Sequence, residues 1–213
     1  LVPSNGKIVK CKTVGADPTG EKQERAFRVS QHMSYQILDE MDDWEEDMDK
    51  LLLSLPIAGT CFKKTYWNAT KQKNCSKLVL PKYLVVNYFA RSLEDAERIT
   101  EILQLSIRQI KERVNAGLYR DIDIGEPTES DSFKRNQVKD AWQKQASEDE
   151  TTPYTILEQH CYLDLDGDGY SEPYIVTVDE NTKKVLRLVP RFLEEDVQVD
   201  ENEKVIFIDP VQY

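Results

Sequence analysis

The chain has 213 residues, and 39 acidic against 28 basic side chains give it a formal net charge of −11 at pH 7. This length fits one large domain or two small ones, and 39% hydrophobic residues permit a sizeable core. The acidic balance excludes a predominantly basic, phosphate-gripping surface, and no apolar run approaches the roughly 20 residues of a membrane-spanning helix, so we expect no membrane partner.

The N-terminal third is predicted to be mainly helical. Residues 7–14 alternate between apolar and basic side chains, which predicts a short strand. Over residues 21–55 the apolar residues recur at steps of three and four, which predicts helix. This stripe consists of Ile37, Met41, Trp44, Met48, Leu51 and Leu55.

Acidic side chains crowd the middle of this helical region. Residues 39–49 contain eight of them, and the pair Asp42-Asp43 favours the start of a second helix, because aspartate prefers caps to helix interiors. Pro56 and Gly59 are predicted to end the helical run.

Residues 60–105 read as β-structure. Residues 60–67 predict a strand, 68–76 a polar turn, and 77–88 a returning strand that Pro81 interrupts. Residues 98–105 predict a further strand. Ser106 is then a candidate N-cap for a helix over 107–116, with Gly117 as its C-terminal stop.

The second half predicts an antiparallel meander. Strands are expected at 154–163, 173–178, 185–191 and 205–208, with a hairpin turn at 179–184 and an acidic loop at 194–203. The fold class is therefore α+β: a helical N-terminal half with a β-hairpin, then an antiparallel β-meander that carries an Asp/Gly-rich loop.

Three regions follow from these patterns. Residues 1–120 form the helical and hairpin region, and 154–213 form the meander. Residues 121–153 are charged and poor in apolar residues, which predicts a linker or excursion. One short helix is predicted there, anchored by Phe133, Val138, Ala141 and Trp142.

The sharpest chemical signal is the sequence DLDGDGYSE at residues 164–172. Carboxylates at positions 1, 3, 5 and 9 with glycine at position 6 are a pattern by which a short turn surrounds a hard cation with oxygen ligands. Calcium accepts such flexible cages more readily than magnesium does. The predicted ligands are side-chain oxygens of Asp164, Asp166, Asp168 and Glu172 and the backbone carbonyl of Tyr170.

This loop is not a regular EF-hand, because Ile175 stands where that motif has its bidentate glutamate. It resembles the calcium-binding β-hairpin loops of integrin-type propeller repeats. The alternative interpretation is a hairpin turn that simply favours Asp and Gly. Against that alternative, three carboxylates this close repel one another unless a cation or solvent separates them.

The histidines, cysteines and clustered lysines give no strong indication of a catalytic or binding site. His32 and His160 accompany no nucleophile or phosphate-binding motif, which favours ordinary surface or core histidines over a metal-dependent hydrolase built on Asp164, Asp166, Asp168 and His160. The four cysteines have no zinc-site or disulfide-framework spacing, which predicts free thiols. Lysines at 63, 64, 71, 73 and 77 adjoin Tyr66 and Trp67. This patch favours a solvated hairpin tip over a surface that stacks single-stranded nucleic acid.

Several segments, taken in order, resemble the portal proteins of tailed bacteriophages, specifically the large subfamily of short-tailed phages. Residues 121–153 contribute little to this resemblance. The resembling segments are VGADP (14–18), QHMSYQ (31–36), WEEDMDKLL (44–52), LPIAGT (55–60), FKKTY (62–66), LVVNY (84–88), LEQH (157–160), YLDLDGDGY (162–170) and EPYIVTV (172–178).

The resemblance implies a non-enzymatic subunit of a ring, usually dodecameric, at one capsid vertex. Through that ring double-stranded DNA is packaged and later ejected without sequence-specific binding. Implied partners are further copies of the chain, the terminase, capsid or scaffold proteins, and tail or head-completion proteins. The implied location is the virion, and the host cytoplasm during assembly. The apolar stretch 205–213 predicts that the sequence is an excerpt of a longer polypeptide. Members of the family are far longer, and the resemblance implies that this piece belongs to the outer, wing-like region.

Overall fold

The computed structural model describes residues 8–41, 43–68, 71–127, 152–199 and 205–210. The chain divides into two compact units. The N-terminal unit extends to Pro81, and the C-terminal unit begins at Lys82. None of the described helices is long and apolar enough to cross a membrane.

Two helices dominate the N-terminal unit. Helix α1 spans Glu21–Tyr35 and continues into a π-helical turn at Gln36–Glu40, and α2 spans Trp44–Ala58. The predicted break near Asp42-Asp43 is confirmed, since Asp43 is the N-cap of α2. Pro56 does not end α2 but lies within its last turn. The stop is Gly59, whose φ of 74° is accessible to glycine at little cost.

The strand predicted at 7–14 is wrong for the residues that the structure describes. Residues 8–14 have no regular secondary structure. The backbone N–H of Val9 donates to Ser34 Oγ at 3.2 Å, and the carbonyl of Val9 accepts a hydrogen bond from Ser30 Oγ. Two serines of α1 thus satisfy the Val9 backbone groups that a neighbouring strand would otherwise have paired.

A β-hairpin completes the N-terminal unit. Strand β1 covers Phe62–Asn68 and pairs antiparallel with β2 at Lys73–Val79. The turn is therefore shorter than predicted, because pairing continues to Asn68 opposite Lys73. Asp47 of α2 ties the hairpin to the helix, since its Oδ2 accepts a 3.0 Å hydrogen bond from the Leu78 backbone N–H.

The C-terminal unit contains a five-stranded antiparallel sheet in the order β3-β4-β5-β6-β7. The interruption at Pro81 is confirmed, since a 3₁₀ turn at Pro81–Tyr83 precedes β3. The predicted hairpin turn between β6 and β7 is confirmed as well. The strands are β3 (Leu84–Val86), β4 (Arg98–Leu105), β5 (Tyr154–Leu163), β6 (Glu172–Asp179) and β7 (Val185–Pro190).

Helix α3, Ile107–Asn115, packs on one face of this sheet. Its N-terminus is the predicted one: Ser106 Oγ accepts from the Gln109 N–H, and the Gln109 side chain accepts from the Ser106 N–H. This reciprocal pair is a capping box. The core beneath α3 consists of Leu103, Leu105, Ile110, Tyr119, Ile124, Tyr154, Ile156 and Leu186.

Removal of this cap is expected to destabilise the C-terminal unit measurably. Ser106→Ala leaves the Gln109 N–H without its acceptor, and we expect the free energy of unfolding to fall by about 1 kcal/mol. Urea titration followed by circular dichroism measures the loss. Ser106→Asp keeps an acceptor and serves as the control; an equal loss in both variants would contradict the capping role.

The acidic stretch predicted as a loop at 194–203 contains more order than expected. A 3₁₀ turn occupies Glu194–Asp196, and β8 (Val197–Val199) pairs antiparallel with β9 (Val205–Ile208). Strand β9 is confirmed at its predicted bounds. Strand β8 was missed because Val-Gln-Val is too short to show alternation amid acidic residues.

The α+β class is confirmed, but the compact units divide near Pro81, whereas the sequence was divided after residue 120. The reason is that β4 pairs with β5 along its whole length, from Arg98 opposite Cys161 to Leu105 opposite Tyr154. Residues 121–127 have no regular secondary structure. The helix predicted around Phe133–Trp142 lies outside the described residues.

Candidate metal centre

The Asp/Gly-rich loop joins β5, the middle strand of the sheet, to its neighbour β6. Leu163, the last residue of β5, lies opposite Glu172, the first residue of β6, so residues 164–171 form the hairpin loop. Gly167 and Gly169 have φ angles of 78° and 90°. These left-handed conformations disfavour other residues and permit the sharp reversal.

Carboxylates of the loop accept hydrogen bonds from its own backbone. Asp164 accepts from the N–H groups of Gly167 (2.7 Å) and Gly169 (3.1 Å) through its two oxygens. Asp166 Oδ1 accepts from the Asp168 N–H at 3.3 Å, and Asp168 Oδ1 accepts from the Tyr170 N–H at 2.7 Å. The last two bonds are Asx turns, so the backbone itself holds the three side chains in place.

These bonds bring three of the predicted ligands together. Asp164, Asp166 and Asp168 each offer a carboxylate oxygen, and these oxygens all lie within 4.8 Å of one another. Oxygen ligands on opposite sides of a calcium ion are roughly 5 Å apart, twice the usual 2.3–2.6 Å bond. Each carboxylate oxygen has a second lone pair besides the one used in the loop. The cluster can therefore hold a metal ion.

Glu172 lies outside this group of three. Its Oε2 accepts a 2.6 Å hydrogen bond from the hydroxyl of Tyr174, two residues further along β6. That bond, together with burial and the nearby negative charges, raises the pKa of Tyr174 to about 12. Tyr170 takes part through its backbone N–H. The Glu172–Tyr174 pair was missed, although alternation along a strand places residues i and i+2 on one face.

No protein-family model matches this chain, and no curated protein matches it.

His160 lies apart from the aspartate cluster, in a different polar group. Its Nε2 is 3.9 Å from Glu158 Oε1, and its Nδ1 is 3.5 Å from Nη1 of Arg191. On the next position of β5, burial raises the pKa of the Cys161 thiol, which lowers its reactivity. The structure thus does not bring His160 to the aspartates, as a metal-dependent hydrolase built on both would require.

One lysine of the β1–β2 hairpin contacts helix α2. The Lys63 ammonium lies 5.0 Å from the ring centroid of Trp44, a cation–π contact. Burial lowers the pKa of Lys63, and the negative charge of Asp47 opposes that shift. Trp67, near the turn, is 59% exposed.

Proposed function

We propose that this chain is part of a portal-ring subunit at the unique capsid vertex of a tailed phage, a structural component of the channel for DNA packaging and ejection. The observation that carries the proposal is the ordered series of resembling segments. Apart from residues 14–18, which precede α1, these segments lie in chain order on α1, α2, β1, β3 and the β5–β6 hairpin. The proposed partners are further copies, the terminase, capsid or scaffold proteins and tail proteins, with double-stranded DNA passing through.

Charge supports this proposal. A net charge of −11 suits a conduit along which DNA slides, because each fixed lysine–phosphate contact would retard the moving polymer. The role we propose is mechanical, without a catalytic step.

The full-length gene product is expected to form closed rings. Negative-stain microscopy and mass photometry of the purified protein measure this directly. Rings with a central hole and a single dominant mass of many subunits support the proposal. A protein that stays monomeric at micromolar concentration contradicts it.

We propose that Asp164, Asp166 and Asp168 bind a Ca²⁺ ion, which links the two strands of the β5–β6 hairpin and stiffens it. Oxygen-only ligands and a flexible loop favour calcium over magnesium, which demands a near-octahedral shell. In the predicted set, Glu172 and the carbonyl of Tyr170 complete the cage. To bind the ion, Glu172 must either give up the hydrogen bond that its Oε2 accepts from the Tyr174 hydroxyl or coordinate the ion through Oε1.

The same aspartate cluster favours a second candidate function, a calcium-dependent binding or adhesion module. In that case the metal loop would be the binding surface. The two functions differ in their response to chelation. A portal subunit keeps its rings in EDTA and in Asp166→Ala. A calcium-dependent module forms no ring and loses ligand binding under both treatments.

A further inference from the structure

The loop between β3 and β4 carries two aromatic side chains at the corner of a turn. The Ala90 N–H donates to the Asn87 carbonyl at 3.1 Å, which closes a β-turn whose two central residues are Tyr88 and Phe89. Their side chains are 92% and 88% exposed, and their rings meet edge to face with centroids 5.2 Å apart. Central turn positions ordinarily carry glycine, proline, asparagine, aspartate or serine. The turn itself therefore has no need of two large aromatic rings.

This aromatic pair is suited to a contact with another molecule. Aromatic side chains bury about 150–250 Å² each, and they are enriched in the centres and the energetic hot spots of protein interfaces. No part of the chain that the structure describes covers the rings of Tyr88 and Phe89. A second molecule with an open groove of sufficient size would bury them.

A groove of that kind lies beside helix α1. Residues 9–13 and residues 23–30 line it together, and its volume is about 690 Å³. Ligand pockets of roughly 300–1,000 Å³ take a drug-sized molecule, so two aromatic side chains fit into this space. The apolar part of its lining includes Cys11, Ala26 and Phe27, and Phe27 is 52% exposed. We call this space the α1 groove.

The α1 groove and the aromatic loop carry opposite charges. Lys10 and Lys12 line the groove and are exposed, and no acidic residue belongs to its lining. Residues 87–97, which form the loop, contain three exposed carboxylates and a single arginine. The carboxylates are those of Glu94, Asp95 and Glu97. Opposite potentials on two surfaces speed their encounter and fix their register, and lysines also attract aromatic rings through cation–π contacts.

We infer that the Tyr88–Phe89 turn of one copy inserts into the α1 groove of a second copy. The rings pack on the apolar lining, and the carboxylates of the loop face the two lysines. The turn and the groove are different surfaces, so the contact is head-to-tail, and such contacts close into rings when the rotation allows it. This inference rests on the proposed ring and names the surfaces that form it. An exposed aromatic pair also fits a membrane–water interface, but the neighbouring carboxylates disfavour an anionic lipid surface.

Removal of either surface in the full-length protein tests this docking. Tyr88→Ser/Phe89→Ser places turn-compatible residues at the corner, and Ala26→Glu puts a good helix former with the charge of the loop into the groove. Each variant is expected to self-associate at least about thirtyfold more weakly, as the loss of an interface hot spot does. Leu53→Gln/Ile57→Gln is the matched control, because it removes two side chains on α2 that are 73% and 89% exposed. We expect it to assemble as the unaltered protein does, and mass photometry over a concentration series measures all three.

Disulfide trapping identifies the residues in contact. Arg91→Cys places a thiol beside the aromatic pair, and Cys11 supplies a free thiol in the groove. Oxidation with diamide is expected to give covalent dimers, trimers and longer chains on non-reducing gels, since each copy provides one thiol of each kind. Cys11→Ser in the same background is expected to abolish this ladder, which excludes the remaining cysteines as partners of the new thiol.

The outcomes separate this inference from the proposed function. Circular dichroism melting checks that every variant is folded. Rings that persist in both surface variants, or that weaken equally in the α2 control, overturn this inference and leave the proposed ring intact. So does a ladder that fails to form or that survives Cys11→Ser. An unaltered protein without rings overturns the proposed function too. Flotation with phosphatidylcholine vesicles that Tyr88→Ser/Phe89→Ser abolishes, with assembly unchanged, assigns the turn to a lipid surface instead.

Discussion

Ile156→Ala is expected to lower the free energy of unfolding of the C-terminal unit by about 3 kcal/mol. Ile156 is 0% exposed and lies on the middle strand of the five-stranded sheet. It pairs with Leu103 on β4 and Asp179 on β6, and it packs in the core beneath α3. Truncation of a buried isoleucine loses its transfer free energy and leaves a cavity, at a cost of about 2–5 kcal/mol.

Leu157→Ala is the matched control. Leu157 is the next residue on β5, so its side chain points to the other face of the sheet, where it is partly exposed. We expect a loss of about 1 kcal/mol there, since less apolar area returns to water. Urea titration of both variants measures the difference. Equal losses would show that α3 does not define the buried face of the sheet.

The strands that the sequence predicted best are those followed directly by a clear local signal. Strands β4 and β5 begin and end at the predicted residues, Arg98–Leu105 and Tyr154–Leu163. The cap residue Ser106 marks the end of β4, and Asp164, which opens the Asp/Gly-rich loop, marks the end of β5. These two residues fixed where the strands end.

The structure departs from the sequence patterns where non-local pairing decides the outcome. Residues 8–14 alternate as a strand does, yet Ser30 and Ser34 of α1 bind the Val9 backbone instead. The boundary after residue 120 followed composition, whereas the structural division follows the β4–β5 ladder between segments about 60 residues apart in sequence. Propensity and composition carry no information about which distant segment a strand will join.

The candidate site was predictable to the extent that it is local. Asp164, Asp166 and Asp168 converge because each bonds a backbone N–H within five residues, and glycines supply the reversal. Glu172 was predicted as the fourth carboxylate, but in the structure it accepts a hydrogen bond from Tyr174. That competition depends on strand geometry after the loop, which spacing alone does not reveal.

Calcium is expected to reverse the order of stability between the unaltered chain and Asp166→Asn/Asp168→Asn. Asparagine keeps the side-chain oxygen that accepts the Asp168 and Tyr170 N–H groups, so both Asx turns survive. It removes two negative charges from a cluster whose oxygens lie within 4.8 Å of one another. In EDTA the variant should therefore melt at the same temperature as the unaltered chain or higher, because like-charge repulsion is relieved.

With calcium present the order should invert. A ligand at a hundred times its Kd stabilises the folded state by about 2.7 kcal/mol, so the unaltered chain should melt several degrees higher while the variant gains little. Differential scanning calorimetry in EDTA, magnesium and calcium measures these shifts, and magnesium should give the smaller one. Asp95→Asn, in an exposed loop elsewhere, should respond to calcium as the unaltered chain does. An unaltered chain that calcium does not stabilise, or equal shifts in it and the double variant, would show that the three aspartates organise the turn without holding an ion.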